Sequence, residues 1–260
     1  MMKKIWPEQL LALGKTSEVY VWEDGQVLKL FMPGMPIEYA QHEAVMTQAV
    51  YEAGLPVPQA GEVVEMDGRF GFTLQHITGF SLLEIWLQNP AETEPIAQLL
   101  AKLHQQIHAV SAPPVEAMPR QRDWVANTIA DAVGLETAVK KTALATLHNL
   151  PDGDILCHGD FHPGNILLAE DGRVVVIDWF TAVVGHPLGD VAQTSFLLTQ
   201  AQLPDELATL LTPDLRQRLQ QQYVASYLQT AHVWQETFAS WQAIAKTCGG
   251  DLTHPRYFPG

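Results

Sequence analysis

The 260-residue sequence has little cysteine, little positive charge and no long hydrophobic run. Its two cysteines, Cys157 and Cys248, are too few for a disulfide framework and suit a reducing compartment. No apolar run approaches the roughly 18 residues that a membrane span needs. Near the start, Pro7, Glu8 and Gln9 interrupt any apolar stretch of a signal peptide. We therefore predict a cytoplasmic protein without a membrane partner.

Basic residues are outnumbered by acidic ones, 15 to 29, which gives a formal net charge of −14. This balance, and the lack of a lysine and arginine stripe, argue against a nucleic-acid partner. Apolar residues make up 47% of the chain and charged residues 17%, a composition typical of globular proteins. Neither the charge nor the composition distinguishes a monomer from a homodimer, and both oligomeric states remain open.

The first 75 or so residues have the pattern of short strands with one helix between them. Strands at 19–22 and 27–31 flank an Asp-Gly pair, and a second hairpin is predicted over 61–77 around Asp67-Gly68. Between the hairpins, residues 37–52 have helical spacing, and the apolar stripe of this helix is predicted to contain Ile37, Ala40, Ala44 and Val45.

After Thr78-Gly79 the pattern is mainly helical, apart from a third hairpin over 165–178. Helical spacing covers 81–89, 93–110, 121–148, 188–200, 204–211 and 213–247. The fold class is therefore predicted to be α+β with two lobes. Residues 1–78 would form a small antiparallel lobe and residues 79–260 a larger, mainly helical lobe, with a ligand cleft between them.

The most informative segment lies between residues 155 and 180. It places Asp160 and Asn165 in a D-x-x-x-x-N loop and Asp178 at the end of the following hairpin. Phosphoryl transfer from a nucleotide needs one carboxylate to orient the attacking hydroxyl. It also needs a carboxylate and an amide oxygen to hold Mg²⁺ against the phosphates. The spacing of these three residues indicates that chemistry, since the hairpin would bring Asn165 and Asp178 side by side.

HGDFHPGN followed by IDW resembles the aminoglycoside phosphotransferase and choline kinase-like family, which shares the protein-kinase fold. The resemblance implies that Asp160 is the catalytic base. It also implies that Asn165 and Asp178 are metal ligands, with ATP and Mg²⁺ as the cofactors. In GHPLGD, Asp190 resembles an aspartate that braces the catalytic loop rather than reacting. His158 would likewise support that loop.

The small lobe agrees with this resemblance. Lys29 lies in the centre of the apolar strand VLKLF, where a solitary lysine needs an anionic partner. Glu43 follows 14 residues later on the predicted helix. The pair resembles the kinase lysine that contacts the α- and β-phosphates and the helix glutamate that orients it.

Further nucleotide-binding positions are assigned by their place in the pattern. LGKTSEVYVW stands where a glycine-rich loop is expected but keeps only Gly14, so Thr16 and Ser17 are the candidates to supply hydroxyls or backbone N–H groups. Gln75 and Ile77 end the second hairpin, where the family's hinge meets adenine through backbone groups.

His104 and His108 are four residues apart, a spacing that can bind zinc on a helix, but residue 105 is Gln and H-E-x-x-H is absent. We interpret both as packing or surface histidines. Cys157 is predicted to be a core residue. Trp234 and Trp241 have core spacing, with the wall of a substrate pocket as the competing interpretation.

The leading functional hypothesis is a phosphotransferase acting on a hydroxyl of a small molecule. A protein kinase is less favoured, because A-P-E is missing and Asp190 lies only 12 positions after Asp178. A non-catalytic nucleotide sensor and a zinc hydrolase are two further hypotheses. For the acceptor, the net charge suggests a cation, as do carboxylates at Asp205, Glu206, Asp214 and Glu236. An uncharged sugar or alcohol remains the competing prediction.

Overall fold

The computed structural model describes residues 7–23, 25–203, 205–229 and 235–248. The chain divides into two units. One, here the β-rich unit, runs to Phe80 and takes up the chain again at Leu167–Phe180. The other, the helical unit, contains Ser81–Ile166 and the described residues from Thr181 onward. The predicted fold class, α+β with an antiparallel sheet and a mainly helical part, is confirmed.

Five antiparallel strands in the order β1-β2-β3-β5-β4 form the main sheet of the β-rich unit. They are β1 (Leu10–Leu13), β2 (Ser17–Val21), β3 (Gln26–Phe31), β4 (Ala60–Met66) and β5 (Arg69–Gln75). The predicted hairpins are present, and Asp67 has a φ of 51°, as a tight hairpin turn requires. Helix α1 (Ile37–Glu52) packs against β3, β4 and β5.

A smaller three-stranded sheet has the order β6-β8-β9. It contains β6 (Gly79–Ser81), β8 (Ile166–Ala169) and β9 (Val174–Val176), so the third predicted hairpin is also confirmed. Strand β9 leads directly to Asp178. The backbone N–H of Val176 donates a hydrogen bond of 2.8 Å to the carbonyl oxygen of Pro56, which ties this hairpin to the rest of the β-rich unit.

Helices form most of the described helical unit. Their bounds are α2 (Leu82–Gln88), α3 (Thr93–His108), α4 (Gln121–Asp131), α5 (Thr137–Asn149), α6 (Pro187–Gln200), α7 (Asp205–Leu210), α8 (Pro213–Leu228) and α9 (Gln235–Thr247). Helix α3 packs along α8, and α6 packs against α8 and α9. A short ladder pairs β7 (Ile155–Cys157) with β10 (Val183–Gly185). No helix in the described residues is long and apolar enough to cross a membrane.

Three details differ from the sequence predictions. Residues 121–148 do not form one helix, because α4 ends at Asp131, Ala132 has a ψ of 116°, and Gly134 adopts a φ of 88° in the turn before α5. In α1, Val45 is exposed while Glu43 is buried, so the predicted apolar stripe is wrong at Val45. The predicted helix over 213–247 is described as α8 and α9, and Trp234 lies outside the described residues.

Candidate functional site

The β-rich unit places the predicted lysine and its glutamate in contact. The Nζ of Lys29, central in β3, lies 2.6 Å from Oε1 of Glu43 on α1 and 3.2 Å from Oδ1 of Asp178. The side chains of Lys29 and Glu43 are buried, whereas that of Asp178 is 40% exposed. The ammonium group of Lys29 therefore contacts the buried carboxylate of Glu43 and the partly exposed carboxylate of Asp178.

The charges of this trio depend on one another. Burial alone would lower the pKa of Lys29, but the carboxylates of Asp178 and Glu43 together raise it well above its ordinary value. Burial raises the pKa of Glu43, and the ammonium group of Lys29 opposes that change. Lys29 is therefore a permanent cation at neutral pH, and Glu43 fixes the position of its ammonium group.

The segment that contains Asp178 is anchored on α1 by aromatic contacts. Asp178 has a φ of 65°, an uncommon backbone conformation for a residue other than glycine. Two residues later the ring of Phe180 packs against Tyr39 and His42, with centroids 5.3 and 5.2 Å away. His42 Nε2 also lies 3.0 Å from the carbonyl oxygen of Phe180. These contacts hold the strained residue in place.

In the helical unit, β7 leads into residues 158–165, here called the Asp160 loop. The Nδ2 group of Asn165 donates to the carbonyl of Asp160 at 2.9 Å and to its Oδ2 at 3.3 Å. Since both neighbours are acceptors, the nitrogen of the amide must face them, and Oδ1 is the oxygen that remains for another ligand. The side chain of Asp160 is 26% exposed.

Histidines shape the same loop. The backbone N–H of Asp160 donates to Nδ1 of His158 at 3.2 Å, and that of Gly164 donates to Nδ1 of His162 at 3.0 Å. The His162 Nε2 lies 3.8 Å from Oδ2 of Asp160. His158 is fully buried, which agrees with its predicted supporting role.

Asp190 clamps the beginning of the loop. Its Oδ2 accepts a hydrogen bond from the N–H of His158 at 2.6 Å, and its Oδ1 accepts one from Gly159 at 2.9 Å. Burial alone would raise the pKa of Asp190, but hydrogen bonds from two histidines, His104 and His108, hold it well below its usual range. The brace expected from GHPLGD is therefore present as a buried, ionised carboxylate.

Comparison with known proteins identifies the family. The sequence profile of the phosphotransferase enzyme family matches residues 9–237. The chain belongs to this family. The resemblance that the sequence motifs carried is thereby confirmed.

Curated relatives of this phosphotransferase-family chain cover it only in part. It is 27% identical over 208 residues to acyl-CoA dehydrogenase family member 11 of Homo sapiens and 30% identical over 206 residues to that of Rattus norvegicus. Both alignments include 70% of this chain, but only 27% and 26% of the relatives. The chain therefore spans about a quarter of the length of these relatives.

Solved structures agree with the fold. An aminoglycoside-3'-phosphotransferase of type VIII superposes with a TM-score of 0.61 at 19% identity, over 91% of this chain and 90% of the other. A thermostable mutant of aminoglycoside phosphotransferase APH(4)-Ia, in a ternary complex with ADP and hygromycin B, gives 0.56 at 19% identity over 93% and 92% of the two chains. At this identity the likeness establishes the protein-kinase-like fold of this phosphotransferase-family chain.

The donor set fits the metal that the family pattern implies. Asn165 offers an amide oxygen, and Asp178 a partly exposed carboxylate. Both are hard oxygen donors of the kind that Mg²⁺ prefers. Asn165 belongs to the helical unit and Asp178 to the β-rich unit.

The remaining predicted nucleotide positions lie in the β-rich unit. The N–H of Gly14 donates to the carbonyl of Ser17 at 2.8 Å, which closes a tight turn between β1 and β2. Thr16 is exposed on this turn, whereas the side chain of Ser17 is buried. Gln75 is the exposed last residue of β5, and Ile77 follows it, half-buried.

A wide groove of about 910 Å³ lies elsewhere on the β-rich unit. Trp22, Gln26, Met66 and Thr73 line it with several acidic residues, and none of the predicted site residues does. The predicted chemistry therefore does not depend on this groove.

Sequence reasoning missed two groups of residues around the candidate site. One is the aromatic packing of Phe180. The other is the pair His104 and His108, predicted as packing or surface residues, which lie inside the helical unit and contact Asp190 at 3.0 and 3.2 Å. The signal for the second group was the four-residue spacing on an amphipathic helix. Cys157 is buried, as predicted, and so is Trp241.

Proposed function

We propose that this protein is an ATP- and Mg²⁺-dependent phosphotransferase that moves the γ-phosphoryl group of ATP to a hydroxyl group of a small molecule. The observation that carries the proposal is the buried Lys29, held by Glu43 and close to the partly exposed Asp178. A fixed cation beside a metal-type carboxylate suits the phosphates of a nucleotide. Family membership supports a phosphotransferase. The structural neighbours include complexes with ADP and with AMP-PNP.

Each residue of the site has a defined role in this mechanism. Lys29 contacts the α- and β-phosphates, and Glu43 keeps its ammonium group directed at them. Asn165 and Asp178 would hold Mg²⁺, which supplies positive charge to the phosphates as negative charge develops during transfer. In support, both side chains present oxygen donors, and their spacing in the sequence matches the family pattern.

Asp160 acts on the acceptor. Its carboxylate accepts a hydrogen bond from the attacking hydroxyl group and orients it. The acceptor oxygen forms a bond to the γ-phosphorus as the bond from that phosphorus to the β–γ bridging oxygen breaks, so that ADP leaves. The hydroxyl proton passes to the Asp160 carboxylate. Partial exposure of Asp160 and its fixed loop support this role.

The rest of the nucleotide is assigned to the first turn and to the end of β5. Gly14 and Thr16, with the backbone of Ser17, would contact the phosphates. Gln75 and Ile77 would meet adenine through main-chain groups, as expected from their place after the second hairpin. A cytoplasmic location suits these assignments, since ATP and reduced cysteines are both found there.

The acceptor is proposed to be a cationic or strongly polar small molecule bound by the C-terminal helices. The net charge of −14 favours a cation over an anion. Two structural neighbours were solved with hygromycin B or streptomycin. Asp205, Asp214 and Glu236 are exposed, as solvated surface carboxylates are, so they attract a cation at long range rather than form a pocket. The side chain of Glu206 lies outside the described residues.

A transfer assay tests the proposal. The full chain is incubated with Mg²⁺ and ATP labelled at the γ-phosphate, together with a panel of amino alcohols, aminoglycosides, sugars and a generic protein substrate. We expect label in a small molecule with wild-type protein and almost none with Asp160→Asn. Label only in the protein substrate would indicate a protein kinase. Saturable ATP binding without any transfer would indicate a nucleotide sensor, and zinc in the purified protein would revive the hydrolase hypothesis.

A further inference from the structure

A buried cluster in the helical unit joins α3, α6 and α8. His104 and His108, one turn apart on α3, both direct Nε2 at Oδ2 of Asp190, at 3.0 and 3.2 Å. On the other side of each ring, Nδ1 of His104 lies 2.6 Å from the hydroxyl of Tyr223, and Nδ1 of His108 lies 2.7 Å from that of Tyr227. All five side chains are at most slightly exposed. Such a complete polar network in a protein interior is a specific arrangement rather than a result of random packing.

Hydrogen-bond chemistry determines the tautomer of both rings. An ionised carboxylate is only an acceptor, so each Nε2 that faces Asp190 must carry a proton. Burial lowers the pKa of His104 to about 4, so this ring is neutral at neutral pH. A neutral ring with a proton on Nε2 has an acceptor at Nδ1, which the hydroxyl of Tyr223 then satisfies as a donor. His108 has the same arrangement, with its Nε2 facing Asp190 and its Nδ1 facing the hydroxyl of Tyr227.

The network reaches the Asp160 loop from two sides. Through Asp190 it holds the N–H groups of His158 and Gly159, which precede Asp160. Through ring stacking it holds the residue after Asp160, because Phe161 lies against His104 with centroids 4.2 Å apart and planes 23° from parallel. Asp160 is therefore flanked by residues whose positions depend on His104.

His104, His108 and Asp190 could each offer one ligand atom, and these three atoms are close enough together to hold a metal ion. Two observations favour hydrogen bonds instead. Oδ2 of Asp190 already accepts the N–H of His158 at 2.6 Å. In addition, a metal would need unprotonated Nε2 atoms, which would reverse the hydrogen bonds to both tyrosines. The cluster is satisfied within the helical unit by its own side chains.

We propose that His104 and His108, each kept as the Nε2–H tautomer by a tyrosine hydroxyl of α8, are positioning residues that hold Asp190 and thereby fix Asp160 for phosphoryl transfer. The proposal rests on the proposed function for its kinetic consequence, and on the geometry of the cluster alone for the tautomers. Tyr223 and Tyr227 are the outer members of the same network and act through the rings.

Nuclear magnetic resonance tests the tautomers without any activity assay. Protein labelled with ¹⁵N in its histidines is studied by long-range ¹H–¹⁵N correlation at neutral pH, with His104→Gln and His108→Gln used to assign the two rings. We expect a protonated Nε2 and an unprotonated Nδ1 in both. A protonated Nδ1 in either ring overturns the proposal. So does a stoichiometric shift of both Nε2 signals on addition of Zn²⁺, since the cluster would then be a metal site.

Kinetics test the positioning. Tyr223→Phe and Tyr227→Phe remove one hydroxyl each and keep the ring, so packing persists while the tautomer is released. We expect kcat to fall about tenfold in each and further in the double variant, with the KM for ATP within about twofold, since small displacements of a catalytic group cost up to about 10²-fold in rate. Tyr51→Phe, at an exposed tyrosine of α1, is the matched control and should keep the wild-type kcat.

A conservative series separates positioning from simple packing. The side-chain amide of Gln can place N–H near the Nε2 of His, whereas Asn is shorter and matches Nδ1. His104→Gln should therefore retain more kcat than His104→Asn at similar thermal stability. Equal kcat in both, or unchanged kcat in the two tyrosine variants, contradicts the proposal. If the wild-type protein transfers no phosphoryl group at all, the proposed function fails. The magnetic resonance measurement of the two tautomers then still tests whether the network exists.

Discussion

The ammonium group of Lys29 and the carboxylate of Glu43 lie 2.6 Å apart and are both buried in the β-rich unit. A buried pair of this kind does not by itself add much stability, because taking two charges out of water costs about as much as their attraction returns. The pair is better explained by its geometry. It fixes the lysine against α1 and leaves the Lys29 charge close to Asp178, at 3.2 Å.

The first prediction concerns Lys29→Met, which keeps the length of the side chain and removes its charge. The phosphates then lose a charged hydrogen-bond donor, an interaction of about 1.5–3 kcal/mol. We expect kcat/KM for ATP to fall by about 10- to 100-fold, with a higher KM and a lower kcat. Steady-state kinetics with varied ATP measure this. Lys102→Met, on the exposed face of α3, is the control, and equal kinetics in both variants would refute the assignment of Lys29.

The second prediction separates binding from transfer at Asp160. The Asp160→Asn side chain keeps its size and loses its ability to take a proton. We expect Mg-ATP to bind with nearly wild-type affinity in calorimetry, while kcat falls by about 10²–10⁴-fold, the usual contribution of general-base catalysis. Asp131→Asn, at an exposed aspartate at the end of α4, should change neither quantity. A wild-type kcat in Asp160→Asn would mean that Asp160 is not the base.

The third prediction concerns the metal. Asp178→Asn replaces a charged oxygen donor by a neutral one next to Lys29, so the affinity of the site for Mg²⁺ should fall. We expect the free Mg²⁺ concentration that gives half of the maximal rate to rise at least about tenfold at saturating ATP. The rate is measured over a range of free Mg²⁺ with the wild-type protein alongside. The same Mg²⁺ dependence in both proteins is the result that would remove Asp178 from the ligand set.

The fourth prediction concerns stability at Gly159. This residue has a φ of 81°, and a Cβ there would collide with the carbonyl oxygen of Thr181. Gly159→Ala should therefore destabilise the protein by about 2–4 kcal/mol, since both backbone strain and overpacking contribute. It should also lower kcat, because the N–H of Gly159 is one of the two held by Asp190.

Gly172 provides a matched control for that substitution. Its φ is 84°, but a Cβ there would meet nothing within 4 Å. Gly172→Ala should therefore cost only the strain, about 1 kcal/mol, and leave kcat unchanged. Differential scanning calorimetry compares the two Tm values. If the Tm falls by the same amount in both variants, the collision with Thr181 has no energetic importance.

Local patterns predicted the elements that depend on neighbouring residues. The hairpin around Asp67 and the helix that begins at Ile37 have signals within a few residues of themselves, and both are present. The pair β7 and β10 was not predicted, because each strand has only three residues and the partners are separated by the whole Asp160 loop and the third hairpin. Short strands that pair over such a distance have no local signature.

The candidate site shows the same limit. The motif residues Asp160, Asn165 and Asp178 are close in sequence, so their spacing could be interpreted directly. The contact of His104 with Asp190 joins residues 86 positions apart, and that of His104 with Tyr223 joins residues 119 apart. Only the packing of α8 along α3 and against α6 brings them together. Periodicity cannot distinguish a buried histidine with such partners from one that merely packs.

The final prediction uses the buried histidine as a reporter of folding. Burial and the neighbouring His108 lower the pKa of His104 from 6.5 to about 4, although Asp190 opposes this change. Between these two pH values the unfolded chain binds a proton at this residue that the folded chain does not. The free energy of unfolding should therefore decrease as the pH falls from about 6.5 to 4, by up to about 1.4 kcal/mol per pH unit from this group.

The His104→Gln substitution isolates that contribution, because glutamine does not titrate. Burial also lowers the pKa of His42 and His186, so the wild-type protein and the variant share the part of the pH dependence that comes from those residues. We expect the Tm of the wild-type protein to fall more steeply than that of His104→Gln between pH 6.5 and 4, while His148→Gln, at an exposed histidine, follows the wild type. Parallel Tm curves for all three proteins would mean that His104 is charged in the folded state, which would also remove the neutral tautomer on which its contact with Tyr223 depends.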